Sequence, residues 1–172
     1  CSDADTWPER FAGLLGEGQL AAGMQVLLAR GAIVYVPQSI ERMNDHPYCQ
    51  QVKAAVGQPE STGKDRRWIL YRLGYVVGHT MPGLDVQDLL ASVDYLAGRP
   101  DVDAQRIGVT GVGQGGMTAL YATAMDPRIA AASVTDYFSN PNRDECWQEP
   151  VDRRLPSQLL AFGDAEVAAL IA

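Results

Sequence analysis

The chain has 172 residues and a formal net charge of −7, with 47% hydrophobic and 20% charged residues. That size and balance suit one globular domain with a buried core, so residues 1–172 are expected to form a single domain. Lys53 and Lys64 are the only lysines and the arginines are scattered, which argues against a nucleic-acid partner. No apolar run approaches the ~18 residues needed to cross a bilayer, which argues against a membrane partner.

Cys1, Cys49 and Cys146 are widely spaced and form no C-x-x-C pair, so neither a zinc site nor a dithiol redox motif is expected. Idle thiols and a Cys49–Cys146 disulfide both remain open. The sequence opens at Cys1 without methionine and shows no signal-like or transit-like segment. A missing N-terminus is the expectation, and localisation and oligomeric state stay open.

Residues 20–30 read as a helix that stops at Gly31, a common helix terminator. Residues 32–36 form a continuous apolar run ended by Pro37, as in a parallel strand covered on both faces. Residues 38–63 are polar and irregular and read as a surface excursion. A helix is predicted over 67–77, and Pro82 and Gly83 are expected to break the chain. Residues 84–97 give the clearest helix, because Val86, Leu89, Leu90, Val93, Leu96 and Ala97 recur at helical spacing. A strand at 106–110, a glycine cluster, a helix at 116–125 and a strand at 129–135 follow. Residues 136–156 look loop-like, and 156–171 hold one or two short helices. Strands alternating with helices give the α/β class, with a mostly parallel sheet and helices on both faces.

The cluster Gly111-Val112-Gly113-Gln114-Gly115-Gly116 lies between a strand and a helix. Its local pattern admits three readings. Gly111, Gly113 and Gly116 match the dinucleotide fingerprint G-x-G-x-x-G, with Asp136 placed to bind a ribose. Gly111 and Gly115 match the flanks of the nucleophile elbow G-x-S-x-G, with Gly113 in place of the serine and the Gln114 N–H as an oxyanion donor. Any strand-to-helix turn also collects glycines.

A wider stretch separates these readings. The phrases Gly83-Leu84-Asp85-Val86-Gln87-Asp88, Val93-Asp94-Tyr95-Leu96, Arg99-Pro100-Asp101-Val102-Asp103 and Arg106-Ile107-Gly108-Val109-Thr110-Gly111 resemble the α/β-hydrolase superfamily. They are most similar to its acetyl xylan esterase and dienelactone hydrolase-like branch. The likeness continues through Gly115-Gly116-Met117-Thr118-Ala119-Leu120-Tyr121-Ala122 and Asp126-Pro127-Arg128-Ile129. It is densest over residues 83–136 and weaker over 20–37. The resemblance implies an α/β-hydrolase core, no cofactor, no metal, and a small-molecule ester or carbohydrate-ester ligand. It also implies an earlier strand before Asp5, and a triad acid and histidine beyond the strand at 129–135, so a fragment truncated at both ends is expected.

Glycine has no side chain and cannot form an acyl-enzyme, so Gly113 is a vacant nucleophile position. Asp136, after a strand, is a candidate triad acid, with a loop cap as its structural alternative. His46 and His79 read as surface or hydrogen-bonding histidines. Thr110 and Ser133 are expected within or at the end of strands, away from the apex. Cys146 lies beside Asp144 and Glu145, which disfavour a thiolate. The functional expectation is a carboxylic-ester-type hydrolase relative, for acetyl esters or small lactones. A non-catalytic binding or scaffold relative is the alternative, and a dinucleotide-binding oxidoreductase the lesser one. In the hydrolase topology the strand at 129–135 pairs in parallel with the strand at 106–110. The run at 33–36 should stand about 10 Å from the latter across the slot of a preceding strand, leaving open edges and a poorly stable fragment.

Overall fold

The structure is a computed structural model that describes residues 21–39, 66–138, 151–155 and 162–171. Among them, in chain order, are helix α1 (Ala21–Ala29), helix α2 (Arg66–Val76), helix α3 (Met81–Ala97), strand β1 (Ile107–Val112), helix α4 (Gln114–Met125) and strand β2 (Ile129–Thr135). A single 3-10 turn at Val151–Arg153 and the short helix α5 (Asp164–Ala168) follow. None of these helices is long and apolar enough to cross a membrane.

The β1–α4–β2 unit is the centre of the fold. β1 and β2 pair in parallel, from Ile107 opposite Ile129 to Val112 opposite Thr135, with one irregularity after Ile107. The parallel pairing expected for the strands at 106–110 and 129–135 is therefore present. The crossover helix α4 lies on both strands, and α3 packs against α4. Val86, Leu89 and Val93 of α3 meet Ile107, Ala122 and Ile129 in one apolar cluster, with Leu90, Leu96 and Ala97 at its margin. The helical periodicity of residues 84–97 thus marks the buried face correctly. On the other face of the sheet, Gly108, Thr110, Ala131 and Ser133 are exposed.

Three local expectations are corrected, the third at the start of α4. The helix expected to start at residue 84 starts at Met81, and Pro82 lies inside its first turn instead of breaking the chain. Proline is tolerated there because the first N–H groups of a helix have no partner within it. Thr80 caps this end, its Oγ1 accepting the Gly83 N–H at 3.1 Å. The run 32–36, expected to be a strand set apart from β1 by an open slot, joins no ladder among the described residues and so does not pair with β1. Ile33 and Tyr35 are exposed rather than covered on both faces, because apolar composition makes a strand only where a neighbour supplies hydrogen bonds.

The residues expected to form the helix at 116–125 begin it two positions earlier, at Gln114. The turn from strand to helix consumes Gly113 alone. At the far end, Asp126 Oδ1 accepts the Arg128 N–H at 2.9 Å and the Arg128 side chain reaches Asp94 of α3 at 2.6 Å, fixing the entry into β2. Of the excursion at 38–63, residues 40–63 lie outside the described residues, as do 139–150 of the loop that follows β2.

The compact turn imposes a tight steric condition. A Cβ on Gly111 would fall on the carbonyl group of Gly115, where the first turn of α4 crosses the end of β1. Backbone on both sides leaves nothing to move aside. Gly111→Ala is therefore expected to destabilise the protein by about 3 kcal/mol or more. Urea unfolding followed by circular dichroism measures this, and a loss within error of zero would contradict the crossing.

Candidate functional site

Gly113 stands at the apex of the turn, buried, with φ +54° and ψ −118°. This is the mirror image of an extended conformation, which achiral glycine adopts freely and a residue with a Cβ adopts only under strain. Its N–H donates to the Thr135 carbonyl at 2.9 Å, carrying the β1–β2 pairing one step past the strand. Its carbonyl accepts the Met117 N–H at 3.1 Å, so α4 starts without delay. Gln114 and Gly115 are the first two helical residues and are buried. A Cβ on Gly116 would stand 3.0 Å from both the Thr135 carbonyl oxygen and Tyr137 Cβ. The chain leaving β2 thus runs across the first turn of α4.

Beneath the turn lies a buried polar cluster drawn from four elements. The Gln114 side chain points inward and Nε2 donates to Asp85 Oδ2 at 3.1 Å. Arg67 of α2 is 0% exposed. Its Nη1 donates to Asp85 Oδ1 at 3.1 Å, and its Nη2 donates to Asp85 Oδ2. Its Nε donates to Asp152 Oδ2 of the 3-10 turn at 2.5 Å. Burial works against the guanidinium charge, but the bonds to Asp85 and Asp152 outweigh it and hold the Arg67 pKa above the ordinary arginine value. A small pocket of about 20 Å³, room for roughly one water, opens beside this cluster among Gln38, Ser39, Asp85, Asp88 and Gln114.

A second polar anchor joins α4 to the chain beyond β2. Asp164 Oδ1 accepts from Tyr137 Oη at 2.9 Å and from Tyr121 Oη at 3.2 Å. Burial and then the Asp164 charge push the Tyr137 phenol above its ordinary range.

The candidate residues divide clearly by position. Gly111 lies near the end of β1, Gly113 is the turn itself, and Gln114, Gly115 and Gly116 open α4. Asp136 directly follows the residue whose carbonyl takes the Gly113 N–H; it is exposed and adopts φ +54°, rare for a residue with a side chain. Thr110 and Ser133 are partners in the ladder on the exposed face of the sheet and do not reach the apex. His79 is exposed in the link between α2 and α3, its N–H donating to the Gly74 carbonyl at 2.8 Å. His46, Cys1, Cys49 and Cys146 lie outside the described residues. No group of three or more metal-ligating side chains occurs among the described residues. Arg67, Asp85, Asp152, Tyr121, Tyr137 and Asp164 were not singled out by the sequence. Asp85 alone carried a signal, a charge on the face of α3 that also holds Leu89 and Ser92.

Comparison with known proteins places this turn in context. Residues 76–148, from the end of α2 past β2, match the prolyl oligopeptidase family. The fold is that of an α/β-hydrolase core, described here in part. The protein named "Putative hydrolase YtaP" from Bacillus subtilis (strain 168) is 39% identical over 101 residues, which are 56% of this chain and 34% of that protein. The chain therefore spans about a third of the length of this curated relative. No solved structure gives a significant match. The hydrolase match covers the whole strand–turn–helix, and nothing in the comparisons favours the dinucleotide reading of its glycines.

The pocket generates a pH-dependent expectation for Asp88. Partial desolvation and then the charge of Asp85 raise the pKa of the largely exposed Asp88 above the usual aspartate value of 3.8. A carboxyl with a raised folded pKa opposes folding once it ionises, so its cost sets in as pH rises through the usual aspartate range. Asp88→Asn is expected to be more stable than the parent near pH 7, with the advantage disappearing below about pH 4. Denaturant midpoints measured at both pH values check this, and an advantage that grows towards acid pH would contradict it.

Proposed function

We propose that the protein carries a carboxylic-ester-type hydrolase site at the turn around Gly113, of the acetyl xylan esterase and dienelactone hydrolase-like kind. The one observation that carries the reading is the geometry at residue 113: a single residue, at φ +54° and ψ −118°, between a parallel strand and its crossover helix. In a serine hydrolase this strained turn lifts the nucleophile above the sheet, beside the N–H of the next residue. Here Gln114 takes the place of that oxyanion donor, and Asp136 is the nearest described candidate for an acid at the edge of the sheet. The ligand is a small ester or an acetylated carbohydrate, its carbonyl carbon over Gly113 and its oxygen towards the Gln114 N–H.

Glycine has no atom to attack with, so no acyl-enzyme forms at this position. The vacancy supports a second reading on the same site, in which the turn binds an ester-type ligand without triad turnover. The name of the matching family supports a related one, in which the acyl group is that of a peptide.

Replacing the missing hydroxyl separates these readings. The experiment uses protein expressed from its full coding sequence, with and without Gly113→Ser. The substituted hydroxyl attacks the ester carbonyl and loses its proton to a base. The tetrahedral intermediate expels the alcohol, and water then hydrolyses the acyl group. Gly113→Ser is expected to cost about 1–3 kcal/mol of stability, to be labelled at position 113 by a fluorophosphonate, and to hydrolyse 4-nitrophenyl acetate above the unsubstituted protein. Faster cleavage of a peptidyl anilide than of the ester would favour the peptide reading. A folded variant with neither label nor turnover would overturn the hydrolase-type site.

A further inference from the structure

We propose that Arg67 and Asp85 are positioning residues for the turn at Gly113, holding the main chain of Gln114 through its side-chain amide. The inference rests on the reading of Gln114 as the oxyanion donor. Four separate elements converge on the cluster: α2 through Arg67, α3 through Asp85, the 3-10 turn through Asp152 and α4 through Gln114. Arg67 is 0% and Gln114 1% exposed, so the bonds that link them through Asp85 are buried, where their direction is well defined.

Stability alone does not call for such a cluster. Apolar residues of like volume often hold helices together as well as a buried ion pair, or better. What apolar residues cannot do is aim a hydrogen bond. The guanidinium of Arg67 meets Asp85 through two nitrogens, a fork that fixes the carboxylate in its plane. Oδ2 of the same carboxylate then receives Gln114 Nε2 at 3.1 Å. Gln114 is the first residue of α4, where fewer backbone bonds act than in the middle of a helix. A side-chain anchor there controls the orientation of the peptide that follows residue 113. The Nε bond to Asp152 extends the same control to the 3-10 turn, 85 residues from Arg67 in sequence.

The test compares three forms of the protein expressed from its full coding sequence: unsubstituted, Gln114→Met, and a triple variant carrying Arg67→Met, Asp85→Leu and Asp152→Leu. Each is titrated with methylphosphonate, a tetrahedral oxyanion, while the backbone amides of residues 114 and 115 are followed by ¹H–¹⁵N NMR and thermal unfolding is measured in parallel. The unsubstituted chain is expected to shift these amides saturably. Both variants are expected to stay folded and to bind about tenfold more weakly, the order of a lost charge-assisted hydrogen bond. A structural cluster would instead lower the unfolding temperature and leave the affinity of the folded protein unchanged, and that result overturns the proposal. If the triple variant does not fold, Gln114→Met decides, since it removes the link and leaves the ion pairs in place. No response in the unsubstituted chain overturns the oxyanion reading itself, and the positioning role with it.

Discussion

Everything in this fold turns on the place where the first turn of α4 crosses the end of β1. Gly111 and Gly115 meet there backbone to backbone, with no room for a single carbon atom. The crossing lets α4 lie flat on both strands, and α4 in turn carries α3 and α5. Ala119, Leu120 and Ala122, among the most deeply buried residues described, all belong to this helix. The turn and the packing that forms the core are therefore one structure. Close packing of this kind transmits small changes, because the interior has no slack to absorb them.

The same geometry explains why glycine is tolerated at the apex. A serine at φ +54° and ψ −118° would sit under strain, held only by the surrounding structure. Glycine occupies the position at ease and leaves the flanking glycines, the β1–β2 pairing and the start of α4 undisturbed. The turn therefore does not depend on a side chain at residue 113.

Polar anchors complement the apolar core by giving direction. The chain beyond β2 returns to α4 by two routes: Asp152 through Arg67 and Asp85 to Gln114, and Asp164 to Tyr121 and Tyr137. Both routes use buried carboxylates that accept from donors fixed on other elements. Apolar contacts would bring the same segments together with looser angles, since dispersion and burial are largely indifferent to orientation. At the first residue of α4, orientation is what the proposed site needs.

The amino-acid sequence by itself determined the α/β class, the buried face of α3, the two parallel strands and the position of the turn. The class, the buried face and the turn follow from local spacing: apolar residues at helical intervals, short apolar runs, and glycines where main chains must touch; the pairing of the two strands is what the resemblance to the α/β-hydrolases implies. Residues 32–36 show the limit, since a strand is defined by its neighbour and an apolar run names none. The start of α3 shows another, because Pro82 reads as a break until Thr80 is seen to cap the helix. Only the tertiary structure decided that Arg67, Asp85, Asp152 and Gln114 form one cluster, and that Asp164 gathers Tyr121 and Tyr137. Arg67 and Asp152 lie 85 residues apart, and no periodicity links them. A buried charge finds its partner through the folded arrangement of whole elements, which local pattern does not encode.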